Sequence, residues 1–185
     1  MALTHYPVIN KNNDIIASAV TNLDLHDIAR VAKTYGVQTF YVVTPIEDQK
    51  QLIKKIISHW ITGTGSKYNP KRRQALDLIC VKNSIEEVRE HISSSGFDYP
   101  KIVATSAREQ KRNINISRFR ELLKSGQPYI LLFGTAWGLS EEIILQADYV
   151  LEPVKGSTAY NHLSVRSAAA IILDRLIGDF YEYNK

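Results

Sequence analysis

Residues 129–142 read Tyr129-Ile130-Leu131-Leu132-Phe133-Gly134-Thr135-Ala136-Trp137-Gly138-Leu139-Ser140-Glu141-Glu142, and this stretch decides the fold. Its first part, Ile130 through Phe133, is a short, continuous apolar run, as expected of a strand buried on both faces. It empties into a loop carrying Gly134 and Gly138. A second strand at 149–151 runs into Glu152-Pro153-Val154-Lys155-Gly156-Ser157, and then into Tyr160-Asn161-His162-Leu163-Ser164-Val165-Arg166-Ser167. In open α/β sheets, ligands sit in the loops that leave the carboxyl ends of strands. The loops after Phe133 and after Leu151, with the opening of the last helix, are therefore three candidate ligand-contacting segments.

Outward from this region, β-rich apolar runs alternate with segments of helical period, the pattern of a parallel sheet covered by helices on both faces. The predicted strands are 14–21, 38–44, 77–82, 101–105, 129–133 and 149–151. The predicted helices are 24–35, 46–61, 70–76, 84–94, 117–124, 140–146 and 163–177. The expectation is an α/β chain with one domain over residues 1–185 and a mostly parallel sheet of five or six strands. Ser84 and Glu87 have the spacing of a capping box. Ser140 before Glu141 and Glu142 is an N-cap followed by two carboxylates at the positive end of a helix dipole.

Composition bounds the function. A chain of 185 residues with 44% apolar and 23% charged residues has the makeup of a folded globular protein, which excludes disorder as its main state. No apolar run approaches the roughly 20 residues that span a bilayer, and residues 1–10 lack the pattern of a secretory signal, so no membrane association and a cytoplasmic location are expected. The single cysteine, Cys80, permits neither an internal disulfide nor a cysteine metal cage, and reads as a core residue. The five histidines are scattered without metal-ligand spacing, so no metal is expected. The net charge of +4 leans toward a polyanionic partner.

Two nucleotide motifs are missing. The segment after the first predicted strand, Asn22-Leu23-Asp24-Leu25-His26, has no glycine with which to cradle a pyrophosphate, and Gly63-Thr64-Gly65-Ser66-Lys67 lacks the spacing of a P-loop. The irregular segment 61–73 does combine glycines and Tyr68 with Lys67, Lys71, Arg72 and Arg73. It suits phosphate contact and base stacking, or equally a solvated linker. A second basic stretch around Arg108 leaves the strand ending at Thr105. His59 and His91 read as surface residues near helix ends, whereas His26 and His162 neighbour strand-end loops and are open to a role as general base or substrate contact. Arg30 fits either an ion pair with Asp27 one turn earlier or phosphate binding and activation of a hydroxyl. Asn22 and Asp24 can cap the helix that carries it. Trp137 is either a core plug or a lid over a ligand. Ser164, Ser167 and the alanines at 168–170 give the last helix a small-residue start that a ligand or backbone can approach.

Taken together, these residues resemble the SPOUT, or α/β-knot, superfamily of S-adenosylmethionine-dependent RNA methyltransferases, in particular its small bacterial branch. Asn22 with Ile28-Ala29-Arg30 and Gly36-Val37 is similar to the superfamily's first motif. Residues 132–142 resemble the second, and 151–157 with 161–170 the third. The resemblance implies a deep trefoil knot within about 101–178, the last helix passing through a loop. It implies that the cofactor lies bent among three loops, contacted by Thr105, then Phe133, Gly134 and Gly138, then Glu152, Pro153, Val154, Gly156, Asn161, Leu163, Ser164 and Ser167. Backbone groups near Val154 and Leu163 would hold the adenine. Arg30, Asp27 and His162 are the implied catalytic residues. Asn22, His26, Lys67, Lys71, Arg72, Arg73 and Arg108 are the candidate RNA contacts, on a tRNA or an rRNA. Ribose methylators of the superfamily usually place an asparagine where this chain has Ser164, and Arg166 is a further departure. Either a ribose 2′-hydroxyl or a guanine nitrogen therefore fits as acceptor. The resemblance also implies a homodimer, consistent with an apolar stripe of Ile171, Ile172 and Leu176 toward Phe180 and Tyr181, a stripe that fits simple core packing equally well. A catalytically silent, knotted RNA-binding dimer is the alternative reading.

Overall fold

The computed structural model describes residues 1–178. Phe180 and Tyr181, at the end of the proposed dimer stripe, lie outside the described residues. The strands are β1 (Ala2–Thr4), β2 (Val8–Ile9), β3 (Ile15–Ile16), β4 (Phe40–Val43), β5 (Ile79–Lys82), β6 (Lys101–Thr105), β7 (Asn113–Ile114), β8 (Tyr129–Gly134) and β9 (Tyr149–Leu151). The helices are α1 (Asn22–Thr34), α2 (Glu47–Ile61), α3 (Thr64–Tyr68), α4 (Pro70–Leu76), α5 (Ile85–Ser94), α6 (Ile116–Leu123), α7 (Glu141–Gln146) and α8 (Val165–Ile177). Seven strands form a parallel sheet in the order β5-β4-β1-β8-β6-β9-β7, and β2 pairs antiparallel with β3 in a separate hairpin.

The sheet is larger than the five or six strands expected, and its first strand is a different one. Of the strand predicted at 14–21, only Ile15–Ile16 is extended and paired, and it belongs to the hairpin, with Ile15 54% exposed. An interior strand that was not predicted is β1, whose register Ala2↔Tyr41 and Ala2↔Leu132 places it between β4 and the central strand β8. A three-residue strand flanked by partners on both sides has its backbone bonds supplied by its neighbours, so it needs no long apolar run to announce it. The edge strand β7 escapes sequence reading because it is only two residues long and pairs only with β9. The segment read as a loop at 61–73 contains the short helix α3.

Side-chain alternation along β8 sorts the core into two layers. Leu131 and Phe133 pack with Leu25, Ile28 and Ala29 of α1, Phe119 of α6, and Ala169, Ile172 and Leu173 of α8. Ile130 and Leu132 pack on the other face with Val88 of α5 and Ile143 of α7. Each fully buried Leu, Ile or Phe contributes on the order of 1.5–3 kcal/mol to this core. Ile172 and Leu176, two members of the stripe read as a dimer surface, are buried in the chain's own core. Cys80 is only half-buried, because β5 is an edge strand, and that burial pushes its thiol pKa up. His91 is not a free surface residue: its Nδ1 lies 2.9 Å from the Tyr41 hydroxyl.

The helix starts follow their capping residues, with two corrections. Ser84 Oγ accepts from the Glu87 N–H at 3.1 Å, but the Glu87 carboxylate accepts from the N–H of Asn83, one residue before the expected partner. Thr21, not Asn22, caps α1: its Oγ accepts from the Asp24 N–H and donates to the Asp24 carboxylate at 2.6 Å. Asn22 is the first residue inside the helix. Among the described residues no helix is long and apolar enough to cross a membrane.

Candidate cofactor cleft

The carboxyl ends of β1, β6, β8 and β9 open into one cleft of about 1170 Å³. Its first wall is the loop after β6, including Thr105 and Arg108, and its second is the loop after β8. The third is the opening of α8 with the residues before it, and Ser18, Thr21 and Asp24 close the floor.

The second wall is a tight fold of the chain on itself. A Cβ on Gly134 would sit 2.4 Å from the Leu139 nitrogen and 2.7 Å from the Gly138 carbonyl carbon, so a side chain there would force the loop open. Gly138 has φ of 113°, a region closed to most other residues. The β2–β3 hairpin braces this loop: Ile9 N–H donates to Gly138 O at 3.0 Å, and Trp137 N–H donates to Ile9 O at 3.1 Å. The arrangement leaves Trp137 58% exposed on the cleft wall, which excludes the core-plug reading.

Asn161 joins the third wall to the first by donating from Nδ2 to Ala107 O at 2.8 Å, and Lys155 pairs with Glu109 across the same gap. Of the residues expected around a cofactor, Thr105, Phe133, Gly134, Gly138, Val154, Asn161, Leu163 and Ser164 line the cleft, as does His162. Four others do not. Glu152 accepts the Ile116 N–H on Oε1 at 2.9 Å and its own N–H donates to Ile114 O, so it fastens the end of β9 to the start of α6. Pro153 is buried, Gly156 is exposed, and Ser167 donates its N–H to the capping hydroxyl of Ser164. The Thr105 hydroxyl donates to Leu132 O at 2.8 Å and holds β6 to β8.

Neither the first-motif arginine nor Asp27 is on the cleft wall, although Asp27 lies beside the Arg166 guanidinium there. Arg30 is 61% exposed, with its guanidinium 3.9 Å from Asp27. Two other arginines line the cleft, Arg108 on its first wall and Arg166 of α8. The Arg166 guanidinium donates to Asp24 Oδ1 at 2.6 Å and lies 3.6 Å from Asp27 Oδ2. Asp24, only 7% exposed, spends its other oxygen on Thr21 and so anchors Arg166 from below. The sequence did carry a signal for this residue, a single arginine in an otherwise small-residue helix opening, but nothing local said which way it pointed.

His26 faces the other side of α1. Its ring meets Trp60 edge-on at 5.4 Å, and the Arg72 guanidinium covers the same indole at 4.6 Å. Burial, and then the charge of Arg72, lower the His26 pKa below its ordinary value. Arg72 is thus half-buried against Trp60, while Lys67, Tyr68, Lys71 and Arg73 are exposed, Tyr68 at 91%. Among the described residues no group of three or more His, Cys, Asp or Glu side chains is gathered as a metal site.

The cleft suits a molecule with a flat apolar end and a charged polar end. Phe133, Val154, Leu163 and Trp137 supply apolar walls, and Asp24, Glu141, Glu142 and the Ser18 and Thr135 hydroxyls supply acceptors. Residues 1–178 match the family described as SAM-dependent RNA methyltransferase. The chain is 43% identical over 178 residues to a tRNA (guanine-N(1)-)-methyltransferase of Oleidesulfovibrio alaskensis, covering 96% of this chain and 41% of that protein. It therefore spans about two fifths of the length of that relative. It is 39% identical over 177 residues to an uncharacterized protein of Aquifex aeolicus, covering 95% of this chain and 86% of that one. Among solved structures, the SpoU methyltransferase AviRb from Streptomyces viridochromogenes in complex with AdoMet superposes with a TM-score of 0.55 at 20% identity, over 95% of this chain and 55% of that one. Its fold is thus that of the SPOUT methyltransferases, and the chain belongs to the family of SAM-dependent RNA methyltransferases.

Proposed function

We propose that this methyltransferase acts on a guanine base nitrogen of a tRNA, with Arg166 and Asp27 as the residues that meet the acceptor. The observation that supports the base over the ribose is the exchange of arginines, Arg166 lining the cleft while Arg30 points to solvent. A guanidinium beside a carboxylate complements the Watson–Crick edge of guanine, which offers the O6 acceptor next to the N1–H donor. The name of the Oleidesulfovibrio relative agrees, although it describes a protein more than twice as long.

Bound S-adenosylmethionine supplies a methyl group already activated on a sulfonium, so the protein's task is alignment and proton removal. Phe133, Val154 and Leu163 would pack the adenine, and Gly134 and Gly138 keep the second wall thin. Arg166, held by Asp24, would donate to O6 and favour negative charge on the base. Asp27, 47% exposed, would take the N1 proton as the nitrogen bonds to the methyl carbon. His162 is the second candidate for that proton. Lys67, Tyr68, Lys71, Arg73 and Arg108 would form the RNA face, through phosphate contacts and one stacking ring. Asn22 would lie at its edge, whereas His26 and Arg72 would support it from beneath.

The same reading holds the described residues as one cytoplasmic domain that works as a homodimer, with the exposed end of α8 at Ile177 as part of the interface. It includes a knot within about 101–178. The sheet order supports the knot: β9 lies between β6 and β7, so the link 106–112 must arch over the end of β9 before the chain goes on to α8. The test is incubation of the purified chain with S-adenosylmethionine and unmodified tRNA, followed by mass spectrometry of nucleosides. A methylguanine carrying the methyl on the base is expected, and a 2′-O-methylnucleoside or no product would overturn the acceptor assignment.

A further inference from the structure

The first strand ends in a chain of hydroxyls that the proposed proton transfer does not use. His5, immediately after β1, is fully buried. Its Nδ1 lies 3.0 Å from Ser18 Oγ, Ser18 Oγ is hydrogen-bonded to Thr135 Oγ1, and Thr135 Oγ1 donates to Thr4 O at 3.0 Å. Ser18 and Thr135 both line the cleft.

The direction of these bonds can be read from the ends. Thr4 O can only accept, so the Thr135 hydrogen points to it, and the Ser18 hydrogen then points to Thr135. Ser18 must in turn accept from His5, which places the imidazole proton on Nδ1. The other ring nitrogen agrees: Nε2 is buried with no hydrogen-bond partner, which costs less as a bare lone pair than as an orphaned N–H. The ring is also kept neutral. Burial lowers the His5 pKa to about 4, against the opposing pull of Asp24 and of the Ser18 and Ala19 carbonyls.

We infer that this one-way relay makes the Ser18 and Thr135 oxygens an acceptor-only floor that recognises a hydrogen-bond donor of the ligand, with His5 as the positioning residue behind it. Both hydroxyl hydrogens are spent inside the protein, so each oxygen offers the cleft a lone pair. The donor is an N–H, either the α-ammonium of the cofactor or an N–H of the RNA base. This inference rests on the cleft holding S-adenosylmethionine, and is independent of which RNA atom is methylated.

The test uses the purified chain in two measurements. A long-range proton–nitrogen spectrum of the imidazole should show His5 protonated on Nδ1; protonation on Nε2 would overturn the relay. Calorimetry then compares S-adenosylmethionine, S-adenosylhomocysteine and 5′-methylthioadenosine, which lacks the ammonium, on the parent and on Ser18→Ala and Thr135→Val. A loss of about tenfold for the first two ligands with the third unchanged would assign the floor to the cofactor's ammonium. Unchanged binding of all three with a raised KM for RNA would assign it to the base. Equal loss for all three ligands, or no change in any measurement, would overturn the inference. His5→Asn, whose Nδ2 falls where Nδ1 lies, should keep the parent's values, while His5→Leu should behave as Ser18→Ala. Failure of the parent to bind S-adenosylmethionine would sink the cofactor reading instead, and leave the spectrum to decide the relay.

Discussion

β1 and β8 lie side by side in the interior of the sheet, paired at Leu3↔Phe133, and both are buried at that pair. They differ in how they contribute to the site. β8 delivers a glycine loop that folds on itself and forms a wall by backbone shape. β1 delivers side-chain chemistry, since His5 and Thr4 beyond its midpoint set the polarity of the hydroxyls in the cleft floor. The contrast teaches that an interior strand of three residues can matter to a site as much as the six-residue strand beside it. A parallel contrast separates α1 from α8: the arginine with the familiar spacing, Arg30, is solvent-exposed, and Arg166 lines the cleft.

The sharpest way to break the second contrast is at the proposed base. Asp27→Asn should lower kcat by about 10²–10⁴-fold with little change in cofactor affinity, measured by single-turnover methyl transfer. For β1, Leu3→Ala should destabilise by about 2–5 kcal/mol in denaturant unfolding, whereas Ile15→Ala in the strand predicted in its place should cost less than about 0.5 kcal/mol. A similar loss at both positions would contradict the assignment of β1 as an interior strand of the sheet. Acidification should weaken the β1 end next. With the folded His5 pKa at about 4 and the ordinary value at 6.5, the unfolded chain binds a proton in that interval that the folded chain does not. Stability is therefore full above pH 6.5 and falls as pH drops toward 4, by up to about 3 kcal/mol, and His5→Asn should remove this component. A smaller effect is expected on the basic face, where Lys71→Ala with Arg73→Ala should reduce the slope of log affinity against log salt by about two. Smallest of all, Arg30→Ala should change kcat/KM by less than about threefold, since its guanidinium is exposed and pairs only loosely with Asp27, at 3.9 Å.

The legible parts of the sequence were those where one element carries its own signature. Residues 101–105 and 149–151 form strands with the bounds read from sequence, and α4 spans 70–76 as predicted. Cleft walls at Phe133, Gly134 and Gly138 followed from the rule that ligands gather beyond strand ends. What could not be read depends on partners distant in sequence. β1 is defined by β4 and β8, His5 meets Thr135 only through Ser18, and Arg166 finds Asp24 from 142 residues away. Glu152 looked like a cleft residue from its place in a loop, yet its carboxylate is occupied by the start of α6.

The most direct measurement is transfer of labelled methyl from S-adenosylmethionine to unmodified tRNA, with the product nucleoside identified, in the parent, Arg166→Ala and Arg30→Ala. The account predicts a base-methylated guanosine that falls at least about 10²-fold with Arg166→Ala and persists with Arg30→Ala. A 2′-O-methylnucleoside that depends on Arg30 and survives loss of Arg166 would contradict it.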